Sequence, residues 1–200
     1  MNAAPIILAS GSSSRSAMLQ AADVTFMAVP SEVDEDRIRQ LLSQDGANGG
    51  AIADALAEAK ALAVSKAYPA ALVIGSDQIL ICGGRIFAKA ADEREARETL
   101  LTLRGRTHEL ISAVAIVRAG KVLWRHTETA ELQMRRFSDA FLDEYLSREL
   151  PDVLGSVGCY RIEGRGAQLF ARVTGDQFCI RGMPLVPLLE ALRENGALLP

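Results

Sequence analysis

Two charged side chains of the sequence stand where packing alone would not place them. Lys60 lies between Leu56 and Val64 at helical spacing, on a face that is otherwise apolar. Asp77 closely follows the apolar run 71–74, and the carboxyl ends of buried strands are where α/β enzymes place catalytic groups. Because an unpaired charge is costly to bury, both residues indicate a site that uses charge.

Further polar residues in the first ninety positions are suited to binding an anion. Residues 10–15, Ser-Gly-Ser-Ser-Ser-Arg, follow an apolar run and precede a helical pattern, and helix N-termini favour anions through their backbone N–H groups and dipole. Glu35 and Lys89 add a carboxylate and a second lysine. Carboxylates can hold a divalent cation and deprotonate water, while cations stabilise a leaving pyrophosphate. The set therefore suits hydrolysis of a phosphoanhydride.

Each of these features also has an ordinary structural explanation. The serines suit a helix cap followed by a surface arginine, Lys60 could reach solvent along its own stem, and Asp77 could cap a turn. Glu35 could belong to a solvated acidic stretch. His108 and His126 are isolated, and no Ser-His-Asp or Cys-His pattern is present, so covalent catalysis and a histidine-bound metal are disfavoured.

Length, composition and charge narrow the class of protein. The 200 residues, 49% of them hydrophobic, suit a single domain over residues 1–200 with a full core. A net charge of -3 argues against a nucleic-acid partner. The three cysteines, with no Cys-x-x-Cys pair, argue against a disulfide framework and suit a reducing compartment. The apolar stretch 3–9 is too short for a membrane span, so we expect a cytoplasmic protein without a membrane partner.

Helical and strand patterns alternate along the chain. Apolar runs predict strands at residues 5–9, 24–29, 72–76, 79–82, 85–87, 110–117, 122–134, 169–173 and 178–180. Caps and apolar periodicity predict helices after residues 12–14, over 52–67, from 92 to 105, from 138 to about 148 and from 184 to 196, with a partly helical segment at 34–42 and a loop at 45–50. We therefore expect an α/β fold in which helices flank a mixed central sheet.

The order and spacing of these residues resemble the Maf family of nucleoside triphosphate pyrophosphatases, also called septum-formation inhibitor proteins. The resemblance covers nearly the whole chain and includes residues 8–10, 33–35, 60–61, 75–77, 89, 164–167, 175–176 and 182–185. It implies a mixed α/β fold of two lobes with the active-site cleft between them. It also implies hydrolysis of a nucleotide to the monophosphate and pyrophosphate, dependence on Mg²⁺ or Mn²⁺, and a homodimer.

The resemblance also assigns roles to individual residues. Asp77 is the expected proton acceptor for the attacking water. The residues expected to bind phosphate are Ser10, Arg15, Lys60 and Lys89, and those expected to hold the metal are Glu35 and Asp77. The positions associated with selection of the base are Ser14, Gln78 and Glu163.

The base-selecting positions favour one branch of the family. The branch similar to 7-methyl-GTP pyrophosphatase has Trp, Gln and Glu there, whereas the branch acting on dTTP and UTP has Arg, Thr and Gln. Gln78 and Glu163 agree with the first branch. A carboxylate at Glu163 can accept hydrogen bonds from the N1–H and amino groups of guanine, or offset the charge of a methylated base. Ser14 departs from this pattern because it replaces a tryptophan able to stack on the base.

Other departures concern the phosphate-binding segments, and they leave alternatives open. Ser13 and Ser16 replace a proline and a second arginine, and Ala88-Lys89-Ala90 replaces Gly-Lys-Pro. Our first interpretation is a pyrophosphatase acting on 7-methyl-GTP or another modified nucleotide. The alternatives are a dTTP and UTP pyrophosphatase, and a nucleotide-binding regulator of septum formation with little turnover. The intact set of Asp77, Glu35, Lys60 and Lys89 favours the enzyme, because a pure binder needs no general base.

Overall fold

A computed structural model describes residues 4–199, and its contacts divide the chain into two compact units. The first unit comprises the chain up to residue 78, residues 112–128 and the chain from residue 177, and the second comprises residues 79–111 and 129–176. The single domain spanning residues 1–200 stays a prediction. No helix within residues 4–199 is both long and apolar enough to cross a bilayer.

The elements alternate between strand and helix as the sequence predicts. Over residues 4–199 they are β1 (Ile6–Leu8), α1 (Ser13–Ala21), β2 (Met27–Ala28), α2 (Glu35–Gln44), α3 (Gly49–Ser65), β3 (Leu72–Cys82), β4 (Arg85–Phe87), α4 (Glu93–Leu103), β5 (Thr107–Arg118), β6 (Lys121–Met134), α5 (Asp139–Glu149), two 3-10 helices (Asp152–Gly155 and Arg165–Leu169), β7 (Phe170–Thr174), α6 (Gln177–Ile180) and α7 (Leu185–Glu194).

The strands form one mixed sheet. Within the described residues it has seven strands in the order β2-β1-β3-β5-β6-β7, with β4 paired to β3. β1 is parallel to both β2 and β3, whereas β4 is antiparallel to β3 and β7 is antiparallel to β6. The predicted α/β class, with helices flanking a mixed sheet, is confirmed.

The two faces of the sheet in the first unit carry different helices. Ile6 of β1 and Leu72 of β3, which are paired in register, pack into a cluster with residues of α1 and α7. Their neighbours Ile7 and Val73 pack into a second cluster with residues of α3. Because successive strand residues point to opposite faces, even-numbered residues of β1 and β3 face α1 and α7, and odd-numbered residues face α3.

Side-chain caps fix where several helices begin. The Ser12 side chain accepts from Arg15 N to start α1, as predicted. The side chains of Asp92 and Ser138 cap α4 and α5 in the same way. The helix α3 begins earlier than predicted, at Gly49 inside the predicted loop 45–50. The Asn48 side chain caps it by accepting from the backbone of Ala51 at 2.9 Å.

Three predicted strands differ from those observed. Residues 178–180 form most of the short helix α6 rather than a strand, because an apolar triplet carries no periodicity that separates the two. The strand predicted at 24–29 shortens to Met27–Ala28. Finally, β3 does not end at Ser76 but continues through Asp77 to Cys82. Asp77 therefore lies inside a strand rather than beyond its carboxyl end.

The second unit has its own core beneath α4 and α5. Its buried apolar side chains come from both helices, from strands and from the segments that connect them, and they include Phe87, Ala96, Leu100, Leu103, Leu132, Phe137, Leu142, Leu146 and Leu169. Its β7 lies at one end of the sheet order and pairs with β6 through a register shift between Gln133 and Met134. The unit also buries His108, Tyr145 and Tyr160.

Candidate active site

Lys60 is buried in the first unit and paired with two carboxylates. Its Nζ atom lies 2.7 Å from Oδ1 of Asp77 and 2.9 Å from Oε1 of Glu35. Lys60 and Asp77 are each 5% exposed, whereas the Glu35 side chain is 40% exposed. The explanation that Lys60 reaches solvent along its stem is therefore wrong, and the lysine faces the core because it is paired with acids.

A close approach between α3 and β3 brings Lys60 to Asp77. Asp77 is an odd-numbered residue of β3 and so faces α3. A Cβ atom at Gly75, two residues earlier on that face, would overlap the carbonyl oxygen of Ala57 and lie 2.8 Å from the backbone nitrogen of Ala61. Only glycine lets the helix backbone come this near. Lys60 lies within this stretch of α3, which explains how its side chain reaches the strand.

One oxygen of the central carboxylate is left unsatisfied. Oδ2 of Asp77 is buried and makes no hydrogen bond to any residue that the structure describes. A buried acceptor without a partner costs free energy, so this atom indicates a place for a ligand. Glu35, at the first position of α2, supplies a second carboxylate, because Lys60 contacts both Glu35 and Asp77. Both oxygens of a carboxylate can accept, so the pair keeps free lone pairs.

The two carboxylates fit a magnesium-type site rather than a site made wholly of protein ligands. Within residues 4–199 no group of three or more His, Cys, Asp or Glu side chains is placed to hold a metal ion. Glu35 and Asp77 are therefore the donors available in the cluster. Mg²⁺ commonly takes one or two carboxylates and completes its octahedron with water and substrate phosphate oxygens, which matches this donor set and the unsatisfied Oδ2 of Asp77.

Arg15 is buried next to the same acids. Its Nε donates to the carbonyl oxygen of Gly182 at 2.8 Å, and its Nη1 donates to Oγ of Ser10 at 3.1 Å. Burial lowers the pKa of the Arg15 guanidinium below its ordinary value, while the charges of Asp77 and Glu35 act in the opposite direction. Arg15 thus belongs to the charged cluster, and the explanation as a surface arginine after a helix cap is wrong.

Ser14 and Gln78 are held by backbone carbonyls of the first unit. Oγ of Ser14 donates to Arg181 O at 3.0 Å. Nε2 of Gln78 lies 3.0 Å from Cys179 O and 3.1 Å from Ile180 O. Because Gln78 is an even-numbered residue of β3, it faces away from α3 and from the Asp77 side chain. The first unit thus contains seven of the predicted site residues: Ser10, Ser14, Arg15, Glu35, Lys60, Asp77 and Gln78.

Lys89 and Glu163 lie in the second unit. Lys89 is exposed in the segment that follows β4, and Glu163 is exposed in the turn before the second 3-10 helix. The pKa of Arg161 is raised chiefly by its hydrogen bond to Glu149, and the Glu163 charge adds to this effect. The roles of Lys89 in phosphate binding and of Glu163 in base selection stay predictions.

The structure adds two residues to the site that sequence reasoning missed. Oγ of Ser76 lies 3.0 Å from the Gly182 carbonyl oxygen that also accepts from Arg15. Gly182 has a φ of 103°, a backbone conformation that glycine adopts readily. In the sequence, Ser76 could have been noticed as a hydroxyl within a largely apolar strand. Nothing in the sequence indicates its contact with Gly182, which is 106 positions away.

Comparisons with known proteins agree on one family. The family model described as Maf-like protein matches residues 5–195. The nucleoside triphosphate pyrophosphatase of Granulibacter bethesdensis is 50% identical over 193 residues, which cover 96% of this chain and 98% of that protein. The protein of the same name from Caulobacter vibrioides is 50% identical over 198 residues, 99% of each chain. The 7-methyl-GTP pyrophosphatase of Mesorhizobium japonicum is 49% identical over 193 residues, 96% of this chain and 97% of that protein.

Proposed function

The chain belongs to the Maf family, and from this premise we propose that it hydrolyses a nucleoside triphosphate to the nucleoside monophosphate and pyrophosphate. The observation that carries the proposal is the buried cluster of Lys60, Asp77 and Arg15, with Glu35 at its edge. Two cations bind a polyphosphate, and a carboxylate activates water. The names of the relatives, nucleoside triphosphate pyrophosphatase and 7-methyl-GTP pyrophosphatase, support the same reaction.

We assign the role of general base to Asp77, and the contacts of its carboxylate support the assignment. Lys60 holds Oδ1 at 2.7 Å and so fixes the carboxylate, which leaves the buried Oδ2 to accept a proton from water. The water oxygen forms a bond to the α-phosphorus, and the bond from that phosphorus to the bridging oxygen breaks. The electron pair of that bond leaves with pyrophosphate. The ammonium of Lys60 has three N–H groups, of which two are directed at Asp77 and Glu35, and the third can donate to a phosphate oxygen.

The proposal includes a divalent cation, Mg²⁺ or Mn²⁺, held by Glu35 and Asp77. When bound, such an ion polarises phosphate oxygens and offsets the charge of the leaving pyrophosphate. The unsatisfied Oδ2 of Asp77 supports the assignment. Each carboxylate oxygen has two lone pairs, so holding an ion and accepting a proton do not exclude each other at Asp77. Pyrophosphate release should stop when the cation is removed with EDTA and return on addition of Mg²⁺ or Mn²⁺.

We propose 7-methyl-GTP or a related modified nucleotide as the substrate. The pair Gln78 and Glu163 supports this assignment, as does the likeness to the 7-methyl-GTP pyrophosphatase of Mesorhizobium japonicum. The carbonyls of Cys179 and Ile180 can only accept, so they fix Nε2 of Gln78 toward themselves and leave its Oε1 as an acceptor for a base N–H. Lys89, in the second unit, is assigned to phosphate in the same proposal. A dTTP and UTP specificity is the second candidate, because Ser14 lacks the stacking ring of the first branch.

The proposal also covers assembly and location. We propose a homodimer, supported by the family resemblance, and a cytoplasmic location, supported by three buried cysteines that form no disulfide with one another, Cys82, Cys159 and Cys179. Light scattering on the purified chain should give twice the 21.5 kDa mass of one chain. A mass of one chain at all concentrations would contradict the dimer.

Release of pyrophosphate from a panel of nucleotides tests the function. The panel holds 7-methyl-GTP, GTP, dTTP, UTP, CTP and methylated or pseudouridine relatives, each with Mg²⁺ or Mn²⁺. Fastest release from 7-methyl-GTP is the expected result. Release mainly from dTTP and UTP would keep the reaction and overturn the choice of base. Binding without release from any nucleotide would overturn the enzyme and favour a regulator of septum formation.

A further inference from the structure

Four consecutive backbone carbonyls in the first unit each accept a hydrogen bond from a side chain. We call these four, from Cys179 to Gly182, the carbonyl row. Cys179 O accepts from Oγ of Ser112 at 2.7 Å and Nε2 of Gln78 at 3.0 Å, Ile180 O from Nε2 of Gln78 at 3.1 Å, Arg181 O from Oγ of Ser14 at 3.0 Å, and Gly182 O from Nε of Arg15 at 2.8 Å and Oγ of Ser76 at 3.0 Å.

The carbonyl row lies at and beyond the end of the four-residue helix α6. Carbonyls at a helix C-terminus have no partner inside the helix, and buried ones need partners elsewhere. A hydroxyl or amide from any side chain would satisfy them. Here the donors include three predicted site residues, Ser14, Arg15 and Gln78, so the same bonds that complete α6 also fix the orientation of these side chains.

The bond to Gly182 decides how Arg15 presents its charge. A guanidinium has five N–H donors in one plane. Among the residues that the structure describes, Nε is engaged by Gly182 O, and Nη1 by Ser10, which leaves three N–H groups for phosphate oxygens. Because Nε is the donor nearest the side-chain stem, its bond sets the plane in which the other three point. The position of the Gly182 carbonyl therefore controls the phosphate-binding fork.

Ser76 ties this carbonyl to the strand that carries the general base. Ser76 is fully buried in β3, and its single O–H group lies between two carbonyl acceptors, Ala113 O at 2.8 Å and Gly182 O at 3.0 Å from Oγ. The hydroxyl shares its proton between them and so links Gly182 O to the neighbouring strand β5. Ser76 directly precedes Asp77 in the chain, and the alternation of the strand directs the two side chains to opposite faces. Ser76 thus faces the Gly182 carbonyl that holds Arg15, while Asp77, the next residue, carries the carboxylate that we propose as the general base.

We infer that Ser76 is a positioning residue, which holds the Gly182 carbonyl and through it the guanidinium of Arg15 in register with the carboxylate of Asp77. The inference rests on the proposed function, in which Arg15 binds the phosphates of the substrate. Its consequence is that loss of the Ser76 hydroxyl weakens phosphate binding without removing any group that touches the substrate. A role confined to stability would weaken folding and leave phosphate binding as it is.

A double-mutant cycle between Ser76 and Arg15 tests the inference. The four proteins are the wild type, Ser76→Ala, Arg15→Met and the double variant, and the readouts are kcat/KM for pyrophosphate release and the Kd of inorganic pyrophosphate with Mg²⁺ by calorimetry. In the wild-type background we expect Ser76→Ala to lower kcat/KM about tenfold and to raise the Kd of pyrophosphate about tenfold. In the Arg15→Met background the same change should alter each by less than about twofold, because Ser76 acts only through Arg15. Arg15→Lys, which lacks the Nε donor, replaces Arg15→Met if that variant does not fold.

Ser65→Ala is the matched control. Ser65 is a buried serine of the same unit whose Oγ accepts from the backbone of Gly120 at 3.1 Å. Its loss should lower the melting temperature and leave kcat/KM and pyrophosphate affinity unchanged. Equal effects of Ser76→Ala in both Arg15 backgrounds, or an effect no larger than that of Ser65→Ala, would overturn the inference.

The two readouts separate this inference from the proposed function. If the wild type binds pyrophosphate but hydrolyses no nucleotide, the proposed reaction fails while the cycle on Kd still decides the role of Ser76. If the wild type hydrolyses nucleotides and the cycle shows no coupling, the reaction stands and the positioning role fails. A wild type that neither hydrolyses nucleotides nor binds pyrophosphate overturns both.

Discussion

The two units differ in the large ionisable side chains that they bury. The first unit buries a lysine, an aspartate and an arginine, Lys60, Asp77 and Arg15, each less than one-tenth exposed. The second unit buries a histidine and two tyrosines, His108, Tyr145 and Tyr160, to a similar degree. Burial disfavours the charged form of any group. The buried charges of the first unit therefore need compensation that the buried side chains of the second unit do not need.

In the second unit, burial is the largest influence on the protonation state of the buried groups. Nε2 of His108 lies 2.7 Å from Oη of Tyr160, and the Tyr160 ring packs edge-on against Phe170. Burial lowers the pKa of His108 to about 4 and raises that of Tyr160 well above its ordinary value. Burial likewise raises the pKa of the Cys159 thiol to about 11. All three groups are neutral at pH 7, so the cluster is held by packing and neutral hydrogen bonds.

In the first unit, each buried charge has an opposite charge beside it. Lys60 contacts Asp77 and Glu35, and the charges of the same two acids favour the charged form of Arg15. Buried ion pairs contribute little net stability compared with apolar residues of similar volume. Packing therefore gives no reason to retain them, and the difference between the units points to chemistry in the first. Substitutions that remove charge should cost activity in the first unit and stability in the second.

Asp77→Asn should give the largest effect on the activity side of this contrast. The amide keeps the size of the side chain but cannot accept the proton of water, so kcat should fall by roughly 10²–10⁴-fold. Because Asp77 is also a proposed cation ligand, both proteins are compared at saturating Mg²⁺, where nucleotide affinity should stay near that of the wild type. Steady-state pyrophosphate release and calorimetric titration of the nucleotide measure the two quantities. Asp54→Asn, on the same helix as Lys60 but paired with Arg125, is the control and should keep full activity. Normal turnover by Asp77→Asn would remove Asp77 from the mechanism.

Lys60→Met should lower the free energy of unfolding, because it removes one partner of a buried ion pair. The change leaves Asp77 buried without the ammonium that lies 2.7 Å from Oδ1, and breaking a buried pair costs roughly 3 kcal/mol or more. Urea unfolding at pH 7 should show this loss. The double change Lys60→Met with Asp77→Leu should recover most of the stability but no activity. Equal stability of Lys60→Met and the wild type at pH 7 would contradict our account of the pair.

His108 should give the neutral cluster a pH dependence of its own. Its pKa is about 4 in the folded chain and about 6.5 when unfolded, so between these values the unfolded state binds a proton that the folded state does not. The free energy of unfolding should therefore fall by about 3 kcal/mol as the pH drops from 6.5 to 4. Urea titrations across this range measure the slope.

The double variant His108→Phe with Tyr160→Phe isolates that contribution. Replacing both partners of a hydrogen bond is often nearly neutral for stability. The double variant should therefore stay folded and lose the part of the pH slope that His108 contributes. His126→Phe is the control, and it should keep the part of the pH slope that His108 contributes. Identical slopes for the double variant and the wild type would show that His108 is protonated in the folded chain and that the second unit is not a neutral core.

The charged cluster was predictable from sequence because its residues break local patterns. Lys60 interrupts an apolar helical face, Asp77 follows an apolar run, and Arg15 falls in the first turn after a serine cap. Each signal lies within a few positions of the residue concerned. The mixed sheet and most of the helix starts follow from the same kind of local evidence, as the side-chain caps at Ser12 and Ser138 show.

The carbonyl row and the course of β3 were not predictable in this way. Residues 76–78 look like the end of a strand because they are polar, but their side chains have partners on both faces of the sheet, up to 106 positions away in the chain. In addition, the partners of Ser76 and Gln78 are backbone carbonyls, which every residue carries. Local sequence cannot indicate such contacts. The neutral cluster around His108 was missed for a related reason, since its partner Tyr160 is 52 positions distant.

Glu163→Gln should give the smallest effect, and it tests whether the second unit also uses a charge. Glu163 is exposed, so its substitution should leave stability unchanged, unlike changes at His108. Loss of the carboxylate removes an acceptor for the guanine N1–H and amino groups, and the ratio of kcat/KM for 7-methyl-GTP to that for UTP should fall by about tenfold. Glu149→Gln is the control, because Glu149 pairs with the same Arg161 at 3.2 Å. An equal shift in both variants would assign the effect to Arg161, and an unchanged ratio would exclude Glu163 from base selection.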